Sequence, residues 1–95
     1  MASSISSGVL SASGVIFNGR QRVNAITVFT DGTNAATVDL YDNPSSASGT
    51  INVTAKCIGA NLINHIIFEN PVFFQSGLYA NLTGTGASFI VFYGG

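Results

Sequence analysis

His65 and Cys57 are the only histidine and the only cysteine in the chain. A thiol near an imidazole suggests a nucleophile with its base. Such a base acts only when a nucleophile and an orienting group both lie within reach. Around His65 there is no G-x-S-x-G, no H-E-x-x-H and no nearby pair of glutamates. His65 stands beside Ile66 and Ile67 in a strand-like run, which points to a structural or interface histidine. Cys57 falls on a period-two face with Ile51, Val53 and Ala55, where a thiol packs as a small hydrophobe. Spacing alone leaves a Cys57–His65 dyad open, but the surroundings favour no catalytic residue and no enzyme.

Asp31, Asp39 and Asp42 are the only aspartates, with Asn34 and Asn43 close by. Oxygen-rich loops of this kind hold Ca²⁺ when carboxylates and carbonyls converge. The spacing is not that of a calcium loop, and Asx residues are strong turn formers in their own right. Turn chemistry is therefore the expected role, with no metal and no cofactor. Asn52-Val53-Thr54 and Asn81-Leu82-Thr83 match the glycosylation sequon, which has no meaning without secretion. Seven Phe and three Tyr raise the question of a stacking platform. Nucleic-acid platforms come with a basic groove, and Arg20, Arg22 and Lys56 are the only cations, so no nucleic-acid partner is expected. Tyr41 and Tyr79, both expected on outward faces, keep a glycan platform open.

The elements that must carry these residues are short. A chain of 95 residues fits one domain with a thin core. Charged residues make up 7% of it, against about 25% in an ordinary soluble domain. Ser, Thr, Asn and Gly take their place, so little repulsion keeps copies apart. That composition suits a protein that lives assembled. The opening residues have neither the basic nor the long apolar segment of a secretory signal, and no apolar run reaches the roughly 18 to 20 residues that span a bilayer. No membrane partner is expected.

Residues 1–13 are rich in serine (Ser3, Ser4, Ser6, Ser7, Ser11, Ser13), with Ile5, Val9 and Leu10 among them. This stretch reads as an arm ordered by a partner or a neighbouring copy. Residues 14–95 then form a single β domain. Ile26, Val28 and Thr30 alternate with Thr27 and Phe29, and Asp31-Gly32 supplies a hairpin signal. Val38 and Leu40 share a face, and Asp42-Asn43-Pro44-Ser45-Ser46 makes a turn. Two strands are expected next, Leu62 to Phe68 and a short Val72 to Phe74, separated by Asn70-Pro71. Leu78, Ala80 and Leu82 alternate with Tyr79, Asn81 and Thr83. Phe89 to Tyr93 ends the pattern as a run apolar on both faces. About seven to eight short strands with these turn signals predict an all-β antiparallel sandwich or jelly roll.

Two stretches carry a resemblance. One runs from Ile26 through Asp31-Gly32-Thr33-Asn34 to Asp42-Asn43, followed by Ala47-Ser48-Gly49-Thr50. The other runs from Phe68-Glu69-Asn70-Pro71 to Gln75-Ser76-Gly77-Leu78-Tyr79-Ala80, followed by Thr83-Gly84-Thr85-Gly86-Ala87-Ser88. Together, over residues 23–95, they resemble small β-sandwich virion proteins of tailed bacteriophages. The resemblance implies a structural virion protein, foremost a capsid decoration (cement) protein that clamps subunits of the phage major capsid protein. A tail, baseplate or fibre-attachment part is the alternative, and a host-surface glycan-binding module the third reading. It implies a location in the virion after assembly in the host cytoplasm, and a trimer as the form of the homo-oligomer. No family active site exists to carry over. The expected interface residues are Ile5, Val9 and Leu10 from the arm, with Phe89, Val91 and Tyr93 from a final strand expected to leave one apolar side exposed.

Overall fold

A computed structural model describes residues 4–94. These residues form β1 (Ile5–Ser6), β2 (Gly14–Asn18), β3 (Gln21–Phe29), β4 (Ala36–Tyr41), β5 (Ile51–Cys57), β6 (Ile63–Phe74), β7 (Gly77–Thr83) and β8 (Ser88–Tyr93). One sheet has the order β1-β8-β3-β6 and the other β2-β7-β4-β5, with every pairing antiparallel. The partners β4–β5, β3–β6, β2–β7 and β1–β8 nest outward from the one hairpin at the centre of the chain. That nesting, folded over into two facing sheets, is the jelly roll. The all-β sandwich read from the sequence is the fold.

Alternation explains which side chains meet between the sheets. Val23, Ile26 and Val28 of β3 are fully buried, as are Val38 and Leu40 of β4, Leu78 and Ala80 of β7, and Phe74 of β6. Phe17 meets Phe74 edge-on, with ring centroids 6.2 Å apart, and leans against Tyr93 at 5.0 Å. Both contacts cross from one sheet to the other. Inner faces interdigitating in this way are the core of any two-sheet sandwich.

Several local expectations are corrected. The Asp31-Gly32 turn does not close a hairpin, because β3 and β4 lie in different sheets. Asp31 instead accepts the Thr33 and Asn34 amides on Oδ1, each at 2.8 Å, and shapes a crossing loop. The segments flanking Asn70-Pro71 belong to one strand, β6. Its pairing with β3 slips between Ala25↔Ile67 and Val23↔Val72, so residues 68–71 bulge where β3 offers only Asn24. A second bulge, at Leu40/Tyr41, takes Ile51 off the apolar face of β5 and exposes it.

Two interface expectations also fall here. Phe89 and Val91 are fully buried in the monomer's own core, since β8 lies inside its sheet between β1 and β3. The outward side chains of β8 are Ile90 and Phe92, both half-buried. Met1, Ala2 and Ser3 lie outside the described residues, and the rest of the arm runs along β8 of its own chain. Ile5 pairs with Tyr93, Ser6 with Phe92 and Leu10 with Phe89.

Asp42 closes the far end of the sandwich. Its carboxylate accepts the Ser76 amide at 2.8 Å and the Gln75 amide at 3.1 Å, tying the β4–β5 loop to the β6–β7 turn. Partial burial raises its pKa, but the amides of Ser76, Gln75 and Gly77 outweigh that and hold it below the ordinary 3.8. A depressed folded value means stability that is present above 3.8 and is lost as pH falls through the folded value. Asp42→Ala should cost about 1 kcal/mol at neutral pH, the worth of hydrogen bonds to a charged acceptor reduced by solvent screening at a solvent-accessible site. Thermal melts from neutral pH down to about pH 3 check both signs, because the gap between variant and parent should narrow in acid. A constant gap would show that the carboxylate charge is irrelevant.

Candidate functional site

The residues that suggested chemistry are kept apart by the two-sheet architecture. Cys57 is buried in the core at the end of β5, with its thiol near the Ile58 and Asn61 carbonyl oxygens at 3.7 and 3.5 Å. His65 lies on the outer face of the opposite sheet, so the two form no dyad. Its Nδ1 is 2.5 Å from Thr27 Oγ1 on β3, and its ring meets Phe92 edge-on at 6.1 Å. Because β3 lies between β6 and β8, that ring contact bridges over the small outward residues Ala25 and Thr27. Both are nearly inaccessible as a result, although they point away from the core.

The three aspartates are engaged in structure. Asp31 also accepts the Asn34 side-chain amide at 2.9 Å, and its pKa is lowered, first by the Asn34 and then by the Thr33 backbone amide. Asp39 accepts the Thr54 hydroxyl at 2.9 Å. Asn43 Oδ1 accepts the Ser45 and Ser46 amides at 2.9 and 3.0 Å. Among the described residues no three His, Cys, Asp or Glu side chains converge on a common point. Those residues enclose no pocket either.

The two tyrosines do come together. Tyr41 on β4 stands directly opposite Tyr79 on β7, both half-buried on the outer face of their sheet. The next outward pair is Asp39 opposite Asn81. The result is an aromatic ledge beside a carboxylate and an amide.

The remaining feature is an edge, which the sequence reading missed. Each sheet ends in two outer strands. β1 is two residues long, β2 carries a bulge, and β5 carries Lys56. Short length, bulges and charge are the usual devices that keep sheet edges from pairing. β6 is the longest strand at 12 residues, and its devices are confined to the bulge, which holds Glu69 and Pro71. The half before the bulge, Ile63 to Ile67, has no charge and no proline. Ile63 is 54% exposed and Ile67 71%. Leu62 and Ile58, just before this half, and Phe73 beyond the bulge are exposed as well. The signal was present in the unbroken Leu62 to Phe68 run, but only the strand order reveals that it lies at an edge.

Of the expected interface residues, Ile5 and Val9 are exposed, Leu10 is half-buried under β8, and Tyr93 is half-buried against Phe17. No family model matches this chain, and no curated protein or solved structure is significantly similar to it. The fold and its surfaces define a jelly-roll domain with one unguarded apolar edge.

Proposed function

We propose that this chain is a structural protein of a tailed-phage particle, a capsid decoration protein that holds neighbouring major-capsid subunits together and associates with its own copies. The observation that carries this reading is the apolar, uncharged half of β6 exposed on a chain with only three cations and four acids. Large apolar side chains left exposed along an unpaired sheet edge of a small domain suit a contact surface. A jelly roll is a common architecture of virion parts, and this supports the reading by analogy only. A decoration protein works by mass action: binding the assembled shell and not its separated subunits stabilises the shell against internal pressure. Electron cryo-microscopy of the particle, with this chain fitted into the map, tests the reading. Density on the capsid exterior is the expected result. Density on the tail or baseplate would replace decoration by tail attachment, and absence from the particle would end both.

One observation favours a second reading, in which the outer face of the β2-β7-β4-β5 sheet binds a host-surface glycan. The register that sets Tyr41 opposite Tyr79, next to Asp39 and Asn81, provides apolar ring surface beside polar groups. A glycan array with the parent protein and Tyr79→Ala decides it. Binding lost in the variant supports this reading, and no binding by the parent removes it.

A further inference from the structure

The phase of the β3–β6 ladder determines which backbone groups of β6 are spoken for. Thr30 N–H donates to the Leu62 carbonyl at 3.0 Å, and the register from Phe29↔Ile63 to Ala25↔Ile67 is unbroken. In an antiparallel pair, hydrogen-bonded and non-bonded positions alternate. Leu62, Asn64 and Ile66 therefore bond to β3, while the N–H and C=O groups of Ile63, His65 and Ile67 point to the free edge. The other side of β3 agrees. There the same alternation leaves Phe89 and Val91 of β8 turned away from β3, and these bond to Leu10 and Ser7.

We propose that a second copy of this chain occupies that edge, with β6 pairing antiparallel to β6 of its partner about a two-fold axis at His65. The proposal deepens the self-association in the proposed function but requires no capsid. The occupant follows from the strand's own symmetry. With His65 opposite its counterpart, Ile63 falls opposite Ile67 of the other copy, and Ile67 opposite Ile63. The free N–H and C=O groups of all three positions then find partners, and the isoleucines meet on one face. No Asp, Glu, Lys or Arg lies between Ile63 and Ile67, so no carboxylate, ammonium or guanidinium meets its like across the axis. An isologous contact of this kind closes after two copies. The two β1-β8-β3-β6 sheets become one continuous sheet.

Sedimentation equilibrium of the isolated protein at micromolar concentrations is the test. The expected species has twice the 9.8 kDa chain mass. Ile67→Lys places a charge on an exposed edge position, the device natural sheets use against pairing. It should raise the dimer Kd by about tenfold or more. Ile67→Pro should do the same, because it removes an N–H that faces the free edge and leaves the β3 ladder intact. Melting curves of both variants show whether they fold, and H65C should cross-link copies under mild oxidation while Cys57 stays buried. A monomeric parent, a trimeric parent, or a dimer that survives both Ile67 substitutions would overturn the proposal. Particle imaging tests the phage assignment separately, so failure of one leaves the other standing.

Discussion

Phe74→Ala is expected to destabilise the domain by about 3–5 kcal/mol, the usual cost of emptying a fully buried phenylalanine site. Phe74 is fully buried, and its ring packs edge-on against Phe17 of the facing sheet. Removing it deletes a contact that joins the two layers and leaves a void that neither sheet can collapse to fill. A domain of this size has a total stability of roughly 5–10 kcal/mol, so the variant stands near the unfolding threshold. At about 4–8 °C per kcal/mol for a chain of this length, the melting temperature should fall by tens of degrees. Phe73→Ala is the control. Phe73 is one residue away, points outward at 49% exposure, and lies under the Arg20 guanidinium, 5.2 Å from its ring centroid. Its loss should cost about 1 kcal/mol or less. Urea denaturation of the two variants against the parent checks the contrast. A reversed contrast, with the larger loss at Phe73, would mean that β6 has the opposite register beyond its bulge.

That contrast also marks how far the sequence could be read. Val38 and Leu40, or Leu78 and Ala80, announce their inward face through alternation with polar neighbours, and the structure buries all four. Phe73 and Phe74 announce nothing, because adjacent phenylalanines satisfy either register and the bulge at residues 68–71 resets the alternation before them. Phe89 to Tyr93 was legible as apolar on both faces, but not which face meets the core. The choice is made by β3, whose Val28 and Ile26 stand opposite Phe89 and Val91 and carry them inward. Turn residues were legible as turns and not as hairpins. Asp31-Gly32 has local chemistry that suits either a hairpin or a loop between sheets, and only the long-range pairing of β3 with β6 and β8 decides. The unguarded edge was invisible for the same reason, since edge position is a property of strand order.

The serine-rich segment shows long-range pairing overriding weak local preference, and its removal is expected to be costly. Ser7 N–H donates to the Val91 carbonyl at 2.9 Å, and its hydroxyl accepts the Val91 amide at 2.9 Å. Leu10 and Phe89 exchange both backbone bonds at 2.8 Å, and Ser13 Oγ accepts the Leu82 amide at 2.9 Å. The Ser7 and Ser13 hydroxyls are thus bonded to backbone amides of the chain's own strands. Each such bond contributes about 1 kcal/mol net, and half-burial of Leu10 adds a comparable amount. Ordering the segment costs about 1–2 kcal/mol per fixed residue, enough to offset this gain, so the effect of removal lies in what it uncovers. What removal adds is exposure of β8, whose Phe89 and Val91 amides would lose their acceptors at the rim of the core. Deleting residues 2–13 should therefore lower stability by about 3–5 kcal/mol. It should also promote aggregation, because β8 becomes a long apolar edge. Ser7→Ala, which removes only the hydroxyl acceptor, should cost about 1 kcal/mol. Melting of the truncated chain, with amide exchange at Phe89 and Val91 in the parent, measures both effects. Unchanged melting after the deletion, together with rapid exchange at those two amides, would show that the segment is not held by the fold and would restore it as a free arm.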